Sequence, residues 1–90
     1  NGYLEVTILI TPKGNIHNSP IASFRGLPVY KKEEFLFGLE DEIEKTTRSF
    51  NLSNKKQEHN IIDALKIACR KFTKEKTGKR PFTNINLVKI

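Results

Sequence analysis

The sequence predicts an α+β fold, a two-layer sandwich in which a small sheet of three to four strands packs against two helices. Three observations predict it. The segment Tyr3–Ile10 alternates apolar and polar residues with the period of a half-buried strand. From Glu33 the apolar spacing changes to that of a helix, and it recurs in a second helix after a short interruption. An apolar-rich extended segment then closes the chain. The order is β-β-α-α-β, with an irregular further extended piece between the first two strands. Helices that follow a strand pair and precede a last strand fit one helical layer on one sheet. The 90 residues are expected to form a single domain, residues 1–90, because a chain this short supports one modest core.

In the first strand Leu4, Val6, Ile8 and Ile10 share one face, and Tyr3, Glu5, Thr7 and Leu9 share the other. Pro12 and Gly14 in "TPKGN" make a turn. "IHNSPIASF" is an irregular extended piece broken by Pro20, and "RGLPVYK" reads as a short strand that Pro28 confines to an edge or bulge. Phe35, Leu39, Ile43, Thr46 and Phe50 then recur at helical spacing, with acids crowded into the first half of that helix, where its dipole favours them. "NLSN" interrupts, and Asn54 or Ser53 can cap the next helix. That helix is expected over residues 55–76. Its core stripe is Ile61, Leu65, Ala68 and Phe72, widened by Ile62 and Cys69. Gly78 suits a left-handed C-terminal cap, and Pro81 stops any continuation. In the closing strand Ile85 and Leu87 share a face, Val88 and Ile90 break the alternation, and Phe82 is expected to pack inward. This strand is expected to pair with an earlier one.

The residues that carry hydrolytic chemistry are not grouped in this sequence. His17 and His59 stand in no His-x-x-x-His or His-x-His spacing, and Cys69 has no Cys-x-x-Cys partner. Ser23 and Cys69 have no neighbouring base to activate them. No glycine-rich phosphate loop occurs. No catalytic residue and no metal ligand is therefore expected here. A lone cysteine forms no internal disulfide and fits a reducing compartment. No window approaches the roughly 18 apolar residues of a membrane span, so no membrane partner is expected. The absence of methionine points to a fragment of a larger protein.

The charge is lopsided. Residues 66–80 hold Lys66, Arg70, Lys71, Lys74, Lys76, Lys79 and Arg80 against Glu75 alone, which equals the whole net charge of +6. Two readings compete for "KEKTGKRPF". Cations complement the negative end of a helix dipole, and they also neutralise phosphates. Lys71, Lys74, Lys79 and Arg80 are the candidate contacts to RNA or to a protein partner; Gly78 and Pro81 form the structural corner. No Gly-x-x-Gly loop and no aromatic RNA-recognition strand signature is present.

"GYLEVTILIT…GNI…SPIASFRGLPVY", followed by an acidic helix and "ALKIACRKFTKEKTGKRPFTNINLVKI", resembles the C-terminal domain of ribonuclease J. The first part of the likeness rests on Pro20, Ser23, Gly26, Val29 and Tyr30, and the second on Arg70, Phe72, Lys76, Thr77, Arg80 and Pro81. The Ser-Arg-Gly-Phe common elsewhere in the family is Ser-Phe-Arg-Gly-Leu here, and Asn84 and Asn86 stand where many members have apolar residues. The resemblance implies a small sheet flanked by two helices, placed after a metallo-β-lactamase domain with a β-CASP insertion. Those catalytic parts would hold zinc and cleave RNA, exonucleolytically from the 5′ end and endonucleolytically. The domain itself would carry no cofactor. It would support a dimer or tetramer of the parent enzyme and its full activity in cytoplasmic RNA decay and maturation. The other reading is an independent basic RNA-binding module of a different protein.

Overall fold

The structure, a computed structural model, describes residues 2–90; the expected domain begins at Asn1, which lies outside the described residues. The elements follow in the order β1 (Tyr3–Ile10), β2 (Ile21–Arg25), α1 (Lys32–Thr47), α2 (Glu58–Thr77) and β3 (Phe82–Lys89). A single 3₁₀ turn, Lys55–Gln57, leads into α2. Three strands form one mixed sheet in the order β2-β1-β3, with both helices on one face, so the α+β sandwich holds.

β1 is the central strand. Its alternation translates directly into burial: Leu4, Val6, Ile8 and Ile10 are fully buried, and the residues between them are half-exposed. β2 pairs with it antiparallel, Tyr3 opposite Arg25 and Thr7 opposite Ile21. β3 pairs with it parallel, Tyr3 beside Phe82 and Ile10 beside Lys89. A parallel neighbour needs a long return connection, and the antiparallel helix pair supplies it. The far end of that return is pinned where Lys89 Nζ donates to the Ser53 carbonyl, 3.4 Å away.

Each helix adds one stripe to the core. From α1 come Phe35, Leu39 and Ile43; from α2 come Ile61, Leu65, Cys69 and Phe72; Ile85 of β3 and Leu52 of the connection complete it. The side chain of Asn54 accepts from the Lys56 amide at 3.0 Å, as a capping residue does. The helices approach closely at Gly38. A Cβ placed there would lie 2.5 Å from Cζ of Phe72, so the missing side chain makes room for the ring. Phe72 in turn meets Phe35, ring centroids 5.6 Å apart.

Four expectations need correction. No strand forms over "RGLPVYK": β2 ends at Arg25, Gly26 turns the chain at φ 69°, and the Val29 amide donates to the Leu27 carbonyl in a tight turn. The extended piece before it, which looked irregular, is the real second strand. On α1 the buried threonine is Thr47, not Thr46, and the helix ends there, leaving Phe50 half-buried beyond it. On α2 the stripe runs through Cys69 rather than Ala68, because a spacing of four from Leu65 holds it under the sheet. Phe82 points outward. Thr83 and Ile85 face the helices, so the strand's alternation sends Phe82 to the other side, where it is 72% exposed.

The Gly38 contact yields a test. Phe72→Ala should cost about 3–5 kcal/mol, as for other core phenylalanines. Gly38→Ala should also destabilise, although alanine is the better helix former by about 1 kcal/mol. Combined with Phe72→Leu, which vacates the ring position, Gly38→Ala should lose most of its penalty. Urea melts of the two single variants and the double variant measure this coupling; a stabilising Gly38→Ala in the parent sequence would show that the helices are not in contact there.

Candidate functional site

The basic residues and an exposed aromatic gather at one end of the molecule. α2 runs toward the end of the sheet where β1 begins, and β3 starts beside it. The corner between them is built by Gly78, whose φ of 79° is left-handed. Its amide donates to the Lys74 carbonyl at 2.8 Å, closing the helix. Thr77 Oγ1 donates to the Thr73 carbonyl at 2.8 Å and accepts from the Lys79 amide at 3.2 Å. Pro81 is fully buried, and Thr83 Oγ1 donates to its carbonyl at 3.1 Å. The corner is thus a rigid hinge that sets where the exposed Lys79 and Arg80 stand.

Lys71, Lys74, Lys79 and Arg80 are all exposed. Lys74 has a structural task as well: its Nζ donates to the Gly78 carbonyl at 2.9 Å. Lys76 lies 5.7 Å from the Phe72 ring centroid. Lys66, Arg70 and Lys74 are spaced by four, so they follow one another along the helix. Among the described residues the ion pairs are Lys31 with Glu34, Lys45 with Asp41, Arg48 with Glu44, and His59 with Asp63. Among the described residues no acid pairs with a cation of residues 66–80, which leaves that charge available to an external anion.

The sheet's other face carries no helix among the described residues, and it holds residues to which the sequence alone assigns no functional role. One row across the three strands contains Arg25, Tyr3 and Phe82. The Arg25 guanidinium lies 5.9 Å from the centre of the Tyr3 ring. Tyr3 and Phe82 are near-parallel, centroids 5.9 Å apart and planes 12° apart. The next row, Ser23, Glu5 and Asn84, is polar, and the one after it sets Thr7 and Asn86 beside the exposed Ile21. Asn84 and Asn86 each donate through Nδ2 to Glu5 Oε2, at 3.2 and 3.1 Å. Asn86 Nδ2 also lies 3.3 Å from Thr7 Oγ1. The hydrogen bonds from Asn86 and then Asn84 hold the Glu5 carboxyl below its ordinary range, so it is charged at neutral pH. The parity of Tyr3, Glu5 and Thr7 was readable from sequence; the register that sets Phe82 beside Tyr3 was not.

The metal-ligating residue types do not converge. His17 lies in the loop after β1, His59 on the first turn of α2 3.2 Å from Asp63, and Cys69 in the core. Among the described residues no three His, Cys, Asp or Glu side chains come together to hold a metal. These donors do not fit a zinc ion. Burial, with the negative charge of Glu42 second, pushes the Cys69 thiol up to about 12, which makes it a core residue and not a nucleophile. Among the described residues no helix is long and apolar enough to cross a membrane.

The fold and this surface define a class: a small α+β sandwich with one helix-covered face, one open sheet face and a basic corner. The model of the ribonuclease J C-terminal domain family matches residues 1–89, and the chain belongs to that family. The family places it beside a catalytic N-terminal region. No curated protein matches the chain.

The corner can be tested directly. A Cβ at Gly78 would meet nothing within 4 Å, so the whole penalty of a substitution is left-handed backbone strain, about 1–2 kcal/mol. Gly78→Asn should be tolerated best, Gly78→Ala should cost about 1 kcal/mol, and Gly78→Val more. Replacing Lys71, Lys74 and Lys79 together by alanine should change folding by no more than about 0.5 kcal/mol per site. Denaturant melts separate the two sets; equal stability of Gly78→Val and the parent would refute the corner.

Proposed function

We propose that the chain is the accessory and assembly domain of a bacterial ribonuclease J. In this reading it supports the oligomeric state and activity of a cytoplasmic, zinc-dependent 5′–3′ exo- and endoribonuclease that acts in RNA decay and maturation. In this reading the zinc is held by the catalytic region and not by this domain. The family match along residues 1–89 favours this over an independent RNA-binding module of another protein.

One structural observation carries the assembly part. Phe37 of α1 is 70% exposed and stands at the rim of an apolar groove of about 240 Å³ between α1 and the β2 edge, floored by Pro20, Ala22, Leu36 and Ile43. A large exposed aromatic beside an apolar groove is the composition of a docking surface. Glu33 and Glu40 line the same groove. The acidic α1 side and the basic α2 end are complementary, so one copy can meet another, or the catalytic region, in a defined orientation.

The test uses the chain joined to its native catalytic region. Deleting residues 1–90 should lower both the mass of the assembly in light scattering and the rate of RNA cleavage. Phe37→Glu should lower the mass without lowering the melting temperature of the domain. Unchanged mass and cleavage rate after the deletion would overturn the reading.

A further inference from the structure

The row of Arg25, Tyr3 and Phe82 is a column with one closed end and one open end. Arg25 closes it on β2, and Phe82 opens it on β3, an edge strand of the sheet. We propose that this open sheet face binds single-stranded RNA, one base continuing the stack on the exposed side of the Phe82 ring and the next lying over Asn84, Glu5 and Asn86. The choice of RNA rests on membership of a ribonuclease family; the stacking site itself rests on the sheet and not on the Phe37 groove.

The chemistry of the face selects this occupant. Bases stack on exposed aromatic rings of a sheet whatever their identity, because every base has a π-face. Phe82 offers such a ring, already oriented by Tyr3 and Arg25. The row next to it is not apolar: a charged carboxylate held by two amides lies there, and the exposed apolar residues of this face, Ile21 and Val88, stand further along the strands. Covering that carboxylate with an apolar protein surface would leave it desolvated. A base edge serves it instead, since exocyclic amino groups donate to carboxylates and the asparagine amides have further hydrogen-bonding capacity.

Charge places the RNA backbone. Glu5 repels a phosphate lying directly above the centre of the sheet. Lys79 and Arg80 are separated from Phe82 only by Pro81, are exposed, and have no acidic partner among the described residues. The phosphates therefore follow the β3 edge past the basic corner, with the bases turned in over the strands. This gives the unpaired positive charge of the corner a task that dipole compensation leaves unexplained.

The experiment uses the 90-residue chain and a fluorescein-labelled single-stranded oligoribonucleotide of about eight nucleotides, at low salt. The parent chain should bind it, and titration should shift the Asn84 and Asn86 side-chain amide signals in NMR spectra. Phe82→Ala should weaken binding about fivefold or more at an unchanged melting temperature, with the salt dependence kept. Phe82→Trp should restore it. Lys79→Ala with Arg80→Ala should weaken binding and flatten the salt dependence. The proposal is overturned by a parent chain that does not bind, or by Phe82→Ala binding like the parent while only the cation changes matter. It is also overturned if Phe82→Ala alters the mass of the chain and not its RNA affinity, which would make the face a protein interface. In each of these cases the assembly reading, tested through Phe37, stands or falls separately.

Discussion

The pairing of β1 with β3 is the constraint on which the rest of the structure depends. β1 is bonded to a strand on both sides, and its four inward residues form the floor of the core. β3 can reach its parallel position beside β1 only after the chain has travelled up α1 and back down α2. The sheet therefore cannot be completed until both helices are placed, and the helices have no apolar floor until β1 is placed. A single cooperative unit follows from this mutual dependence, as is usual for a domain of this size. The same register brings the end of α2, the Gly78 corner and Phe82 to the end of the sheet where β1 begins.

The two faces of the sheet have separate tasks. The inner face is spent on the core, and a close fit at Gly38 and Phe72 lets the helices share it. The outer face is unusual for a solvated one, because it combines an ordered aromatic pair, a guanidinium and an amide-clamped carboxylate. Charge is also separated. The acids lie along α1 and the cations along the second half of α2 and its corner. A domain with opposite charge on two sides and, among the described residues, no ion pairs on its basic side is built to meet other surfaces.

The elements that were legible in the sequence are those whose periodicity is local. The alternation of Tyr3–Ile10 predicted both the strand and its buried face, and the α2 stripe with Gly78 and Pro81 predicted the helix, its cap and its stop. The misreadings have physical causes. Val29 and Tyr30 have strand propensity, yet Gly26 at positive φ and Pro28 take the chain off the sheet before they can pair. Near a helix end a spacing of three or four is ambiguous, so Thr46 and Thr47 exchange roles. The expectation that Phe82 packs inward fails because parity with Thr83 and Ile85 decides its side. The basic corner was visible as composition. The outer-face column was not, because it joins residues from three strands through a register that only the assembled sheet defines.

Native-state hydrogen exchange tests this account most directly. If β1 and its pairing with β3 hold the fold, the β1 amides between Leu4 and Ile10 should exchange only through global unfolding, with the free energy obtained from denaturant melts. The β3 amides bonded to β1 should share that value, and the β2 amides on the opposite edge should exchange sooner. Loss of β1 and β3 protection while the core amides of α1 and α2 stay closed would contradict it, since the helices would then stand without the strand on which the account makes them depend.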